Sequence, residues 1–148
     1  MPISESQFAA LKQGAVDASR HAWCPYSKFA VGAALLATDG QIFAGCNVEN
    51  ASHGLTICAE RNAVGQAISA GCRDFTTLLI FTATDKPTAP CGACRQVVTE
   101  FAPGIEVISV CDGPENIQVS MRDLLPRSFG PHNLDDAPKP DQTSALDN

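Results

Sequence analysis

Three cysteines constrain this chain more than any other feature. Cys58 stands in Cys58-Ala59-Glu60, and 33 positions later Pro90-Cys91-Gly92-Ala93-Cys94 carries a CxxC pair. Two thiolates one helical turn apart, joined by a third from a distant segment, form a trigonal set for a single zinc ion. Binding through all three requires the two segments to meet, so any fold of this chain has to bring them together. Three protein ligands leave the fourth tetrahedral position to water, which is the catalytic rather than the structural arrangement. Zinc lowers the pKa of water to about 7, and an unligated carboxylate nearby can take the proton. Glu60 is placed for that role. Residues i and i+2 of a helix do not face the same way, so Cys58 is expected at a helix cap if Glu60 is to share its site.

The same residues admit other readings. A CxxC pair in a cytosolic protein serves redox chemistry as readily as metal binding. A structural zinc site would recruit Cys46, Cys72, Cys111 or His53 as a fourth ligand, and the protein would then be a non-catalytic zinc module.

At 148 residues the chain is long enough for one domain with a proper core. Ten basic residues against 16 acidic ones leave a net charge of -6, with no basic block, which argues against a nucleic-acid partner. The cysteine count of seven is odd, and the start, Met1-Pro2-Ile3-Ser4-Glu5, is polar. No apolar run is long enough to span a membrane. A cytoplasmic protein with reduced thiols is expected, and Cys24, Cys46, Cys72 and Cys111 read as packing thiols.

Ser4 and Gln7 form a capping box for a first helix, whose apolar face is Phe8, Leu11, Ala15 and Ala18; Pro25 ends that pattern. Phe29 to Thr38 and Gln41 to Asn47 flank Asp39-Gly40 and predict an antiparallel hairpin. Cys58 to Ala70 predicts a helix closed by Gly71, and Phe75 to Ala83 a buried strand. Cys91 to Phe101 predicts another helix, Ile105 to Cys111 a strand and Ile117 to Val119 a fifth. Ser120 is placed to cap a short helix carrying Leu124 and Leu125. Both cysteine segments therefore sit at helix N-termini, whose exposed N–H groups favour thiolate. From Pro131 the chain is polar and carries four aspartates; residues 1–130 are expected as the domain and 131–148 as a mobile acidic tail. This order predicts an α/β layered domain with helices over a mixed sheet.

Cys-x-Glu followed by Pro-Cys-x-x-Cys is the pattern of zinc-dependent nucleobase deaminases, and the chain closely resembles the short, homotetrameric cytidine deaminases. Pro25-Tyr26-Ser27-Lys28-Phe29, Val31-Gly32-Ala33-Ala34, Gly45-Cys46-Asn47-Val48-Glu49-Asn50, Cys58-Ala59-Glu60-Arg61, Pro90-Cys91-Gly92-Ala93-Cys94-Arg95-Gln96 and Leu124-Leu125-Pro126 carry the resemblance, which runs from about Phe8 to Phe129. It implies a three-layer fold with a five-stranded mixed sheet and helices on both faces, one zinc per chain and a homotetramer.

The resemblance also implies roles. Asn47 and Glu49 hydrogen-bond the ribose hydroxyls, Phe29 packs by the pyrimidine ring, and Ala59 contacts its edge through the backbone. Arg61 and Arg95 moderate the charge of the thiolates, with Gln96 alongside. His53, where the family often has tyrosine, and Phe129 are expected near a neighbouring subunit's site. The expected reaction is hydrolytic deamination of cytidine and 2'-deoxycytidine, with Glu60 moving protons between water, ring N3 and the leaving amino group. A relative acting on a modified cytosine nucleoside such as blasticidin S is the nearest alternative.

Overall fold

Helix α1 (Glu5–Ser19) starts on a complete capping box: Gln7 N donates to Ser4 Oγ at 3.2 Å, and Ser4 N donates to Gln7 Oε1 at 2.9 Å. The computed structural model describes residues 3–135. The helix ends six residues before Pro25, earlier than expected, because the chain is drawn off into other pairings. Trp23 N donates to Asn47 O at 3.0 Å and Glu49 N donates to Trp23 O at 2.7 Å, an isolated parallel bridge between Trp23 and Val48.

Strands β1 (Val31–Ala37) and β2 (Ile42–Cys46) form the expected antiparallel hairpin. Gly40, at φ +90°, supplies the left-handed residue of the loop. The remaining elements are α2 (Ala59–Ser69), β3 (Phe75–Thr82), α3 (Gly92–Phe101), β4 (Glu106–Cys111), β5 (Asn116–Ser120) and α4 (Met121–Leu124). Helix α2 closes with two bonds, Cys72 N to Ala67 O at 2.9 Å and Gly71 N to Ile68 O at 3.0 Å, with Gly71 at φ +86°. These satisfy carbonyls the last turn would otherwise leave bare. Ser120 caps α4 by accepting from Arg122 N at 3.3 Å.

The five strands run in the order β2-β1-β3-β4-β5; only β3 and β4 are parallel, joined across α3. Alternate residues of each strand feed opposite layers. Leu11 and Ala15 of α1 pack with Ala34, Leu36, Leu79 and Phe81 on one face. On the other, Ala63 and Ala67 of α2 and Val98 of α3 cover Ala33, Leu35, Leu78, Ile80 and Val107. A sheet covered on both sides needs apolar residues at every position, which explains the unbroken apolar run of β3.

Gly45 decides how closely α2 can approach. A Cβ there would stand 2.5 Å from Ala63 N and 2.7 Å from Ala59 O, so only glycine lets the first turn of α2 lie on β2. Asn62 Nδ2 fastens the contact by donating to Cys46 O at 2.8 Å.

The first residues of the expected tail fall among those described. Pro131–Asp135 form a short exposed helix, α5, in which Asn133 Oδ1 accepts from Gly130 N at 2.9 Å. The rest of that segment, 136–148, lies outside the described residues.

Candidate active site

Cys58 is the N-cap of α2 and Cys91 the N-cap of α3, both with extended backbone (φ −72°, ψ 156° and φ −66°, ψ 165°). Neither sulfur accepts a capping bond from the backbone of its own helix, and the two turn toward each other. Cys94 follows within the first turn of α3 and is fully buried. The three Sγ atoms lie within 4.8 Å of one another, with Cys58 and Cys91 3.8 Å apart. Two sulfurs at about 2.3 Å from a tetrahedral zinc stand about 3.8 Å apart, so the sulfur spacing fits that ion. Among the described residues this is the one group of three or more His, Cys, Asp or Glu side chains that could hold a metal. None of Cys46, Cys72, Cys111 or His53 joins it as a fourth ligand.

The environment of the thiols favours negative charge. Cys58 is lowered to about 5, chiefly because the Cys94 thiol donates to it, with Arg61 adding a hydrogen bond and its charge against the opposing effect of burial. Arg61 Nη2 lies 3.0 Å from Thr56 O and 3.7 Å from Cys58 Sγ. Cys94 keeps its proton far above the ordinary thiol range, held by its hydrogen bond to Cys58 and by burial.

Glu60, in the first turn of α2, is 5 % exposed. Burial pushes its carboxyl above the usual carboxylate range, and the neighbouring Cys58 charge pushes the same way. A carboxyl whose hold on its proton is strengthened in this way is suited to take up a proton and give it back.

These groups open onto a cavity of about 410 Å³ lined by Phe29, Asn47, Glu49, Cys58, Ala59, Glu60, Cys91 and, unforeseen in the sequence, Ser27, Val31, Thr56, Ile80, Thr88 and Ala89. That size suits a small molecule. Larger hollows of about 760 and 870 Å³ lie elsewhere, but neither gathers three metal-ligating groups.

Asn47 and Glu49 are both tied to backbone. Asn47 Oδ1 accepts from Val31 N and its Nδ2 donates to Phe29 O, each at 2.8 Å, which leaves one N–H and one lone pair of the amide for other partners. Glu49 Oε2 accepts from Tyr26 N at 2.9 Å and Ser27 N at 3.2 Å. The Ser27 hydroxyl and these two N–H groups hold the carboxyl below its ordinary value, with His53 contributing. Phe29 is exposed and lies in the cavity wall rather than in the core.

Other expected residues stand further off. The Arg95 guanidinium does not reach a thiolate: Nε donates to Pro90 O at 2.8 Å and Nη1 to Leu124 O at 2.9 Å. Its reach from α3 is taken up by the loop before Cys91 and by α4, so it braces the ligand loop. Gln96 Nε2 donates to Phe129 O at 2.9 Å, and the Phe129 ring is exposed, outside the lining of the cavity. His53 opens a 3-10 turn and meets the Tyr26 ring edge-on at 5.4 Å, also outside that lining. Thr88 and Ala89 could have been suspected only from their place just ahead of Cys91.

Residues 5–111 match the family model for the cytidine and deoxycytidylate deaminase zinc-binding region. A cytidine deaminase of Sporosarcina psychrophila is 45 % identical over 118 residues, covering 79 % of this chain and 87 % of that protein. One from Mycobacterium tuberculosis is 43 % identical over 129 residues, covering 87 % and 92 %. The crystal structure of cytidine deaminase from Burkholderia pseudomallei superposes with a TM-score of 0.80 at 45 % identity, over 86 % of this chain and all of that one.

Proposed function

The chain belongs to the cytidine and deoxycytidylate deaminases, and from that we infer that it catalyses the zinc-dependent hydrolytic deamination of cytidine and 2'-deoxycytidine, releasing ammonia and the uridine products. It is a hydrolase acting on a C–N bond, consistent with pyrimidine salvage. The observation that carries the reading is a buried carboxyl, Glu60, opening onto the same cavity as Cys58 and Cys91 of the thiol cluster.

Bound by Cys58, Cys91 and Cys94, zinc supplies the Lewis acidity that brings water to a pKa of about 7. Glu60 moves the protons. Its carboxylate takes one from the attacking water and passes it to ring N3, which makes C4 electrophilic. After the C4–O bond forms, Glu60 takes the second proton of that water and gives it to the departing amino nitrogen, so that ammonia leaves and N3 keeps its hydrogen. Phe29 offers a ring to the pyrimidine, Ala59 its backbone to the ring edge, and Glu49 and Asn47 offer acceptors and a donor to the ribose. Among the described residues Glu49 Oε1 and one donor and one acceptor of the Asn47 amide have no partner, which supports that last assignment. Arg61, in contact with Cys58, offsets the charge of the thiolates.

The same reading includes a homotetramer in the cytoplasm. Exposed Trp23, Tyr26, Val48, Leu55 and Ile57 belong to segments linked by the Trp23–Val48 and Val48–Ile57 bridges, and they support a covered surface there. Phe129 and His53, outside their own chain's cavity, would then reach a neighbour's. All seven cysteines are free, as a reducing compartment requires. Among the described residues no helix is long and apolar enough to cross a membrane.

Loss of cytosine absorbance from cytidine, followed beside Glu60→Gln, tests the reaction. The variant is expected to keep fold and one zinc per chain and to lose turnover by about a thousandfold or more. Near-normal turnover would remove Glu60 from its role, and an inactive, zinc-loaded parent protein would overturn the function.

A further inference from the structure

Given the ribose contacts assigned above, we propose that Ser27 is a positioning residue for ribose recognition, its hydroxyl fastening the Glu49 carboxylate and the Phe29 backbone to one another. This rests on the deaminase reading and adds a residue at the sugar end of the cavity.

Glu49 is held by a turn from another part of the chain. Its Oε2 accepts from Tyr26 N at 2.9 Å and from Ser27 N at 3.2 Å. The Ser27 hydroxyl bonds the same carboxyl, and it is the largest of the influences that keep Glu49 below its ordinary value. That hydroxyl has a second partner, because Phe29 N donates to Ser27 Oγ at 3.0 Å. A serine hydroxyl has one proton and two lone pairs. A lone pair takes the Phe29 N–H, and the proton is left for the carboxylate, which only accepts. One oxygen thus joins the ribose acceptor to the backbone of the residue that walls the pyrimidine ring. Ser27, Phe29 and Glu49 all line the same cavity.

The turn does not hold this shape by itself. Lys28, between the two cavity residues, has φ +59°, a left-handed conformation that residues other than glycine adopt at a cost. Its side chain is exposed and makes no hydrogen bond or ion pair among the described residues, so the lysine itself offsets none of that cost. Lys28 N donates to Cys24 O at 3.0 Å; the other bonds that close the turn are those of Tyr26, Ser27 and Glu49. Strained backbone persists where the surrounding bonds over-determine it, and it gathers at ligand-binding walls. Without the Ser27 hydroxyl, Phe29 N loses its partner and the Glu49 carboxylate loses a donor. Both then drift from the places they hold in the wall.

Two substrates read this out on the zinc-loaded full chain: cytidine, and 2',3'-dideoxycytidine, which lacks the hydroxyls assigned to Glu49 and Asn47. The quantity is the ratio of their kcat/KM values, which in the parent enzyme is expected to favour cytidine. Ser27→Ala is expected to lower that ratio about three- to tenfold, through a higher cytidine KM at little-changed kcat and a smaller loss for the dideoxy substrate. Ser27→Thr retains a hydroxyl and is expected to keep the ratio within about twofold of the parent. A merely structural role would depress both substrates alike and leave the ratio unmoved. The proposal is overturned if Ser27→Ala turns over cytidine with a ratio within about twofold of the parent, or if Ser27→Thr falls as far as the alanine variant. Should Ser27→Ala fail to fold, Ser27→Cys, similar in shape but a weak donor, decides by the same ratio. A parent that deaminates both substrates equally well would remove the ribose assignment of Glu49 and this inference together. A zinc-loaded parent that deaminates neither overturns the functional reading, and this inference with it.

Discussion

A carboxylate two residues from a metal ligand can share its site only where the helix has not yet begun, and the extended backbone of Cys58 meets that condition. Glu60 then enters the first turn and is buried beside the thiols. Such a constraint is readable in the sequence because it is local. Glu49 is different: its partners, Tyr26 and Ser27, lie more than twenty positions away, and only the Trp23–Val48 bridge brings them close. Its lowered pKa means that folding favours the ionised form. The stability from these bonds is therefore present above the ordinary value of 4.5 and is lost as pH falls through that value toward the lower folded one. The cytidine KM is expected to be flat near neutrality and to rise in the same acid window as the carboxylate is neutralised. Glu49→Gln should have a higher KM at pH 7 and no such rise. Identical profiles for the two proteins would detach Glu49 from the ribose.

At the scale of elements, the site depends on two helix N-termini held side by side, and α2 is held by contact with β2. Adding a Cβ to Gly45 drives it into the backbone of the α2 turn that follows Cys58 and precedes Ala63. Gly45→Ala is expected to cost about 1–3 kcal/mol in chemical unfolding and to weaken zinc retention against a chelator. Gly54→Ala meets nothing within 4 Å and should stay within about 0.5 kcal/mol. Equal stability for the two variants would mean that α2 can shift without consequence. The hairpin, both inner helices and all five strands were legible from caps, Asp39-Gly40 and apolar runs, because those signals are local. The end of α1 was not: Pro25 marked where a helix had to stop, whereas the bonds of Trp23 to Asn47 and Glu49, which bind the following segment to the β2–α2 connection, are non-local.

For the whole molecule, the exposed apolar side chains around Trp23 and Leu55 predict assembly. Light scattering of the purified protein is expected to give four chains' mass, and Leu55→Asp to shift it toward smaller species with loss of turnover; a monomer active at assay concentration would refute the tetramer. We propose that 1–130 suffice as the domain, so that a chain ending at Pro131 should match the full one in melting temperature and turnover. A large loss of either would show that the remaining segment docks. What the sequence by itself determined is the donor set and its placement at helix starts, since a CxxC turn, a capping position and a carboxylate two residues on are matters of spacing along the chain. Tertiary structure alone decided that Arg95 braces Pro90 and Leu124 rather than a thiolate, that Asn47 and Glu49 hold the cavity wall as well as face it, and that Thr82 Oγ1 lies 2.8 Å from Thr84 Oγ1 at the end of β3. Hydrogen bonds between distant segments depend on distance and direction in space, and neither is written in the order of residues until the sheet has brought those segments together.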